Sequence, residues 1–171
     1  MTGKKVKKKT EKKNPKPITV KPGRQVRKCS LLRAVIVAIL ITVIAQGIHM
    51  LEAALTMDYY LDAAYMDVWS KVMMPEPGPP PIEFTYMSVL FGFVTALIYI
   101  WAYKLVEPSL LMLKWVKRGL LFGALLFLVG TVPTMLMLYL MVNLPTALIG
   151  WWGLGGLVIV LIDGLLISKL C

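Results

Sequence analysis

The chain is poor in the residues that most often build catalytic and metal centres. Its 171 residues include one histidine, His49, two cysteines, and nine acids against nineteen lysines and arginines. A single histidine excludes the helical di-metal carboxylate sites, which take a histidine from each of two helices. There is no HExxH, no CxxC, no phosphate-cradling glycine loop and no nucleophile–histidine arrangement. No catalytic constellation therefore supports an enzyme, and no cofactor is expected. Two cysteines are too few for a disulfide framework. Cys29 and Cys171 lie just outside the first and last apolar runs, and on a cytosolic side both are expected as reduced thiols. Cys29 is placed either to accept an acyl chain or to stay an unmodified thiol.

What the chain has instead is apolar length and a segregated charge. Residues 1–28 carry twelve lysines and arginines against the single acid Glu11, so the net +10 of the chain is a +11 tail on a body of −1. The tail has no apolar face to offset the entropy of ordering it and is expected to be a disordered cytoplasmic segment. Its lysines hold their side of the membrane in the cytoplasm and attract anionic lipid headgroups. The same charges would neutralise phosphates, but no aromatic residue stands among them to stack a base, which argues against a nucleic-acid partner.

Residues 29–171 hold four stretches of about 20 residues or more, enough to cross a hydrocarbon layer. They are Leu31–Leu55, Phe84–Val106, Gly119–Val142 and Thr146–Ser168. The first is too long, and its basic flank too extended, for a cleaved signal peptide. The fold class is therefore all-α: a one-domain, four-helix transmembrane bundle. The connection 56–83 carries Asp58, Asp62, Asp67, Glu76 and Glu83 against Lys71, which suits the external side. Leu61, Tyr65, Val68, Trp69, Val72 and Met73 fall on one helical face, so a short external amphipathic helix is expected there. The run PEPGPPP, Pro75–Pro81, reads as a stiff extended connector. Lys104, Lys114, Lys117, Arg118 and Lys169 fall on the same side as the tail. The expectation is a multi-pass protein of the cell (inner or plasma) membrane with both termini cytoplasmic.

Candidate functional residues are few, because ionisable groups within spans are costly. His49 and Glu52 are spaced i, i+3, with Gln46 a turn below. They make either a hydrated interfacial cluster or a proton-sensing pair. Asp163 lies near the inner end of the fourth span, where Lys104 or Arg118 is expected to neutralise it, at the opposite membrane face from His49. Nine methionines (Met50, Met57, Met66, Met73, Met74, Met87, Met135, Met137 and Met141) lie towards the outer side. They are soft enough for Cu(I), and equally ordinary as packing. Gly119, Gly123 and Gly130 form one helical stripe, with Gly150, Gly153, Gly155 and Gly156 on the fourth span as mates. Such a stripe is either a dimer seam or packing within one chain. Pro133 removes a backbone donor and should kink the third span or act as its hinge.

Tyr65-x-x-x-Trp69 before a proline-rich turn, then WVKRGLLFG from Trp115 and VPTM from Val132, resembles small prokaryotic four-span integral membrane proteins whose function is not known. The likeness covers about residues 31–168 and implies only the fold and the inner-membrane setting. The residues themselves point first to a protein that acts by association, as an accessory or scaffold subunit, a homo-oligomer or part of a larger membrane complex. A channel or carrier for a small solute or ion is the second expectation, and Cu(I) handling the third.

Overall fold

The computed structural model describes residues 29–70, 72–74 and 80–171. The expectations of a disordered tail (1–28) and a stiff proline connector, and Lys71 itself, concern segments outside or largely outside those residues. Within them the chain is helical, with no strand. Helix α1 runs Leu31–Leu55, α2 Met57–Leu61, a 3-10 turn Ala63–Val68, α3 Ile82–Leu110 and α4 Trp115–Leu126. A π-helical segment, Phe127–Thr131, joins α4 to α5, Val132–Met141, and α6 spans Thr146–Leu170. Four units are long and apolar enough to cross a membrane: α1, α3, the composite Trp115–Met141, and α6. Their outward faces carry exposed Leu, Ile, Val, Phe and Trp side chains, the surface a hydrocarbon solvent tolerates.

Helix ends follow local chemistry. Ser30 caps α1 by accepting from the Arg33 amide at 3.3 Å. Thr56 closes it, its hydroxyl donating to the Glu52 carbonyl at 2.7 Å. The stretch after α1 does not form the one amphipathic helix expected of 61–73. It breaks at Asp62, whose side chain accepts from the Ala64 amide and starts the 3-10 turn. Tyr60 and Met74 from this region pack on Leu148 at the start of α6.

Four spans return the chain to the side it left, so the start of α1 and the end of α6 meet at one end, here called the terminal end. There Val37, Ala38 and Ile41 of α1, Ala96, Ile100 and Tyr103 of α3, Phe122 of α4 and Ile167 of α6 form the main core. Tyr103 meets Phe122 edge-on at 5.2 Å, a pairing worth about 0.5–1.5 kcal/mol beyond burial. The Tyr103 hydroxyl donates to Ser168 at 3.2 Å, and Ser168 donates to the Trp115 carbonyl at 2.8 Å, stitching α3, α6 and α4 together. The same return overturns the expectation of two separate thiols: Cys29 and Cys171 are disulfide-bonded, with Cα atoms 4.8 Å apart. Cys29 then has no thiol to acylate.

The closest helix contact is the α4–α6 seam. A Cβ on Gly119 would lie 2.7 Å from the Gly164 carbonyl oxygen, and one on Gly123 2.5 Å from that of Val160. Only glycine permits such an approach. The mate of Gly119 is thus Gly164 rather than a residue of the 150–156 cluster, as an antiparallel hairpin requires of residues far from its turn. Gly156 and Gly153 face Thr131 and Met135 instead, and at Gly130 and Gly150 nothing lies within 4 Å of where a Cβ would stand.

Candidate functional site

Between the terminal-end core and the aromatic cluster at the loop end lies a cavity of about 830 Å³. Its walls come from the last three turns of α1, α2, the start of α3, the π segment and α5, and the middle of α6. The π segment is one reason it exists. Pro133 sits in the first turn of α5 without an amide to donate, and the chain just before it adopts the wider π winding. Between Gly123 and Thr131 that span advances eight residues while the partner on α6 falls back only four, from Val160 to Gly156. The two helices therefore lose their tight register here, and Gly130, Thr131, Thr134 and Met135 line the opening.

Glu52 is the group that gives the cavity chemistry. It is 8% exposed, and Oε2 lies 3.3 Å from His49 Nδ1. Oε1 is buried with no hydrogen-bond partner. The carboxylate rests on the backbone of α6 at Gly155, where a Cβ would lie 2.9 Å from Oε2 and 3.0 Å from Oε1. Gly155 is a seat for an acid, a role the glycine spacing did not suggest. His49 stands at the rim, 54% exposed on its side chain. Gln46, a turn away, turns to α3 and exchanges hydrogen bonds with Ser88 at 2.9 and 3.3 Å. Gln46, His49, Glu52 and Ser88 all line the same space.

Aromatic residues close the loop end. Tyr60 stacks on Trp69 at 4.9 Å between ring centroids and accepts at its hydroxyl from Trp152 Nε1 at 2.9 Å. Tyr60 and Trp152 both line the cavity, as do Phe84 and Tyr99. Burial, only partly offset by the Trp152 hydrogen bond, raises the Tyr60 hydroxyl above its ordinary value near 10. Five of the nine methionines singled out for Cu(I), Met50, Met57, Met73, Met74 and Met135, line the cavity, and the other four do not. Among the described residues no group of three or more His, Cys, Asp or Glu is placed to hold a metal.

Asp163 is apart from this site. It is 3% exposed, and its Oδ1 has no hydrogen-bond partner. Neither cation expected to neutralise it does so. Lys104 binds Glu107 at 2.9 Å and Arg118 approaches the other oxygen of Glu107 at 3.7 Å. Glu107, three residues after Lys104 on the same helix, is the nearer acid by sequence and the one the expectation overlooked. Tyr99 links the two regions: it lines the cavity and lies within electrostatic reach of Asp163.

Fold and cavity together define, over the described residues, a small helical protein of four membrane-length helices with a mostly apolar pocket between them that carries one acid on its wall. No protein-family model, curated protein or solved structure matches the chain, so the likeness to small prokaryotic four-span proteins rests on its motifs alone.

Proposed function

We propose that the protein is a carrier or channel for a small solute, with the cavity at Glu52 as its binding site. The observation that carries this reading is the buried carboxylate: Glu52, whose Oε1 is packed out of reach without a hydrogen-bond partner, is the one acid among the described residues that line an 830 Å³ space between helices. Buried polar groups are normally satisfied, and an exception beside a cavity of ligand size points to something that completes it. Gln46, His49 and Ser88 supply further polar contacts on the same wall. Asp163 is the candidate second station, near the terminal end.

The positive-inside rule supports placing the terminal end, with the basic tail, in the cytoplasm of the cell membrane and the 56–83 connection outside, while the Cys29–Cys171 disulfide at that same end weighs the other way, because the cytosol keeps thiols reduced. The tail then rests on anionic headgroups. Association remains the second reading. Gly119 and Gly123 are occupied by α6 within the chain, which leaves Gly130 and Gly150, open on their Cβ sides, for a second copy or another subunit.

Reconstituted proteoliposomes test the first reading. Entrapped-volume changes are followed by light scattering across a panel of small cationic, anionic and neutral solutes. Wild-type protein should accelerate at least one class over empty liposomes, and Glu52→Gln and Gly155→Val should abolish that gain. Equal rates with and without protein, or unaltered flux in both variants, would remove the cavity from the function.

A further inference from the structure

We infer that the cavity takes an apolar organic cation, an amine or quaternary ammonium carried on a hydrophobic body. The inference rests on the cavity being a binding site, as proposed above, and adds the chemistry of what it binds. The one acid among the described lining residues is Glu52. Glu52 Oε1 is unpartnered, Oε2 is shared with His49 at the rim, and α6 meets the carboxylate with the backbone of Gly155 alone. From α2 the facing titratable group is Tyr60, and from α3 it is Tyr99. No lysine or arginine is among the described residues that line the cavity. An anion would meet the Glu52 carboxylate with His49 at the rim as the one basic side chain on the described wall.

The remaining walls select among cations. A hard metal ion is usually held by several clustered carboxylates, and the described wall offers one, beside six neutral hydroxyls and an amide. What the wall has in number is rings and thioethers: Tyr60, Phe84, Tyr99 and Trp152, with five methionines. Ring faces attract cations and shed little hydration in doing so, while methionine adapts to irregular apolar shapes. One carboxylate at the side of an aromatic and methionine-lined pocket is the complement of one positive charge on an apolar body. Such a solute partitions into the bilayer interface and reaches the site past exposed lining residues such as Met50, His49 and Thr134.

Tetraphenylphosphonium and tetraphenylborate, nearly identical in shape and opposite in charge, test this on the purified full-length protein in detergent. Binding is read by titration calorimetry and by fluorescence of Trp152 and its neighbours. Tetraphenylphosphonium should bind saturably, and tetraphenylborate should neither bind nor compete. Glu52→Gln should weaken the cation at least tenfold, and Glu52→Asp should recover part of that loss. Thr134→Lys, at an exposed lining position, adds an ammonium and should weaken the cation comparably without relying on a substitution at the buried acid. Equal binding of both probes, or a cation affinity unmoved by Glu52→Gln and Thr134→Lys, overturns the inference while leaving the cavity a binding site. Saturable Cu(I) binding at the cavity methionines without tetraphenylphosphonium binding overturns it in favour of a soft metal. If neither organic probe binds, the inference fails, and the flux panel judges the wider reading separately.

Discussion

Replacing Gly123 by alanine asks the α4–α6 seam to accept one carbon. The new Cβ would stand 2.5 Å from the Val160 carbonyl oxygen and 2.8 Å from the Leu161 Cα. Both are backbone atoms of a helix, so no rotamer change relieves the contact and α6 must move away by several tenths of an ångström. Overpacking of this kind costs about 1–3 kcal/mol. The lower chain entropy of alanine returns about 0.4–1 kcal/mol, leaving a net loss of about 1–2 kcal/mol. For a chain of this size that lowers the midpoint of thermal unfolding by about 2–8 °C. Gly119→Ala should behave alike, since its Cβ would lie 2.7 Å from both the Gly164 oxygen and the Leu165 Cα. One displacement of α6 relieves both clashes, so the double variant should lose less than the sum of the singles. Gly150→Ala, with nothing within 4 Å, is the control and should match or exceed wild type. The assay is the unfolding midpoint in a fixed mild detergent at one scan rate. If Gly123→Ala and Gly150→Ala shift it equally, the seam is not where stability against helix separation resides.

Three other perturbations reach different parts of the molecule. Protein purified without reductant should resist thiol alkylation until reduced, and Cys171→Ser should cost about 2–5 kcal/mol, as loss of a native disulfide does; two freely alkylated thiols in the unreduced protein would contradict the Cys29–Cys171 bond. Glu107→Ala removes a 2% exposed acid that holds Lys104 and Arg118 and should destabilise by about 3–5 kcal/mol, the usual cost of breaking a buried pair; wild-type thermal stability in that variant would show the cluster to be idle. Burial raises Tyr60 above its ordinary value, so the unfolded chain gives up that proton first. The contribution of Tyr60 is therefore complete below about pH 10 and lost as pH rises through its folded value. Tryptophan fluorescence from the loop-end cluster should thus change on alkaline titration, and Tyr60→Phe should abolish that step.

Much of the architecture was legible because a bilayer writes simple rules into sequence. A span needs about 20 apolar residues, and the four runs matched four helices, with α1 coincident and the other bounds shifted by four residues at most; the third span starts at Trp115 rather than Gly119 and ends at Met141 rather than Val142. The His49–Glu52 contact followed from i, i+3 spacing on one helix. What escaped was set by how helices face one another. Spacing within a span cannot say that Gly119 meets Gly164, that Gly155 seats a carboxylate, or that Glu107 and not Asp163 takes Lys104 and Arg118. The disulfide was missed for a related reason. An even number of spans brings residues 29 and 171 to one side, but only the α1–α6 neighbourhood brings them into contact. Pro133 announced a disturbance in the third span, whereas the π winding before it, and the cavity it helps open, depended on the fit against α6.

Whether a cation sits beside Glu52 is read most directly by photo-crosslinking of the wild-type protein. A quaternary ammonium bearing a diazirine is bound, irradiated and located by mass spectrometry. Adducts should fall on the cavity walls, within residues 46–60, 130–135 and 152–156, and be competed away by excess tetraphenylphosphonium. Adducts confined to the basic tail or the lipid-facing surfaces, unmoved by the competitor, would mean that the cavity holds no such cation.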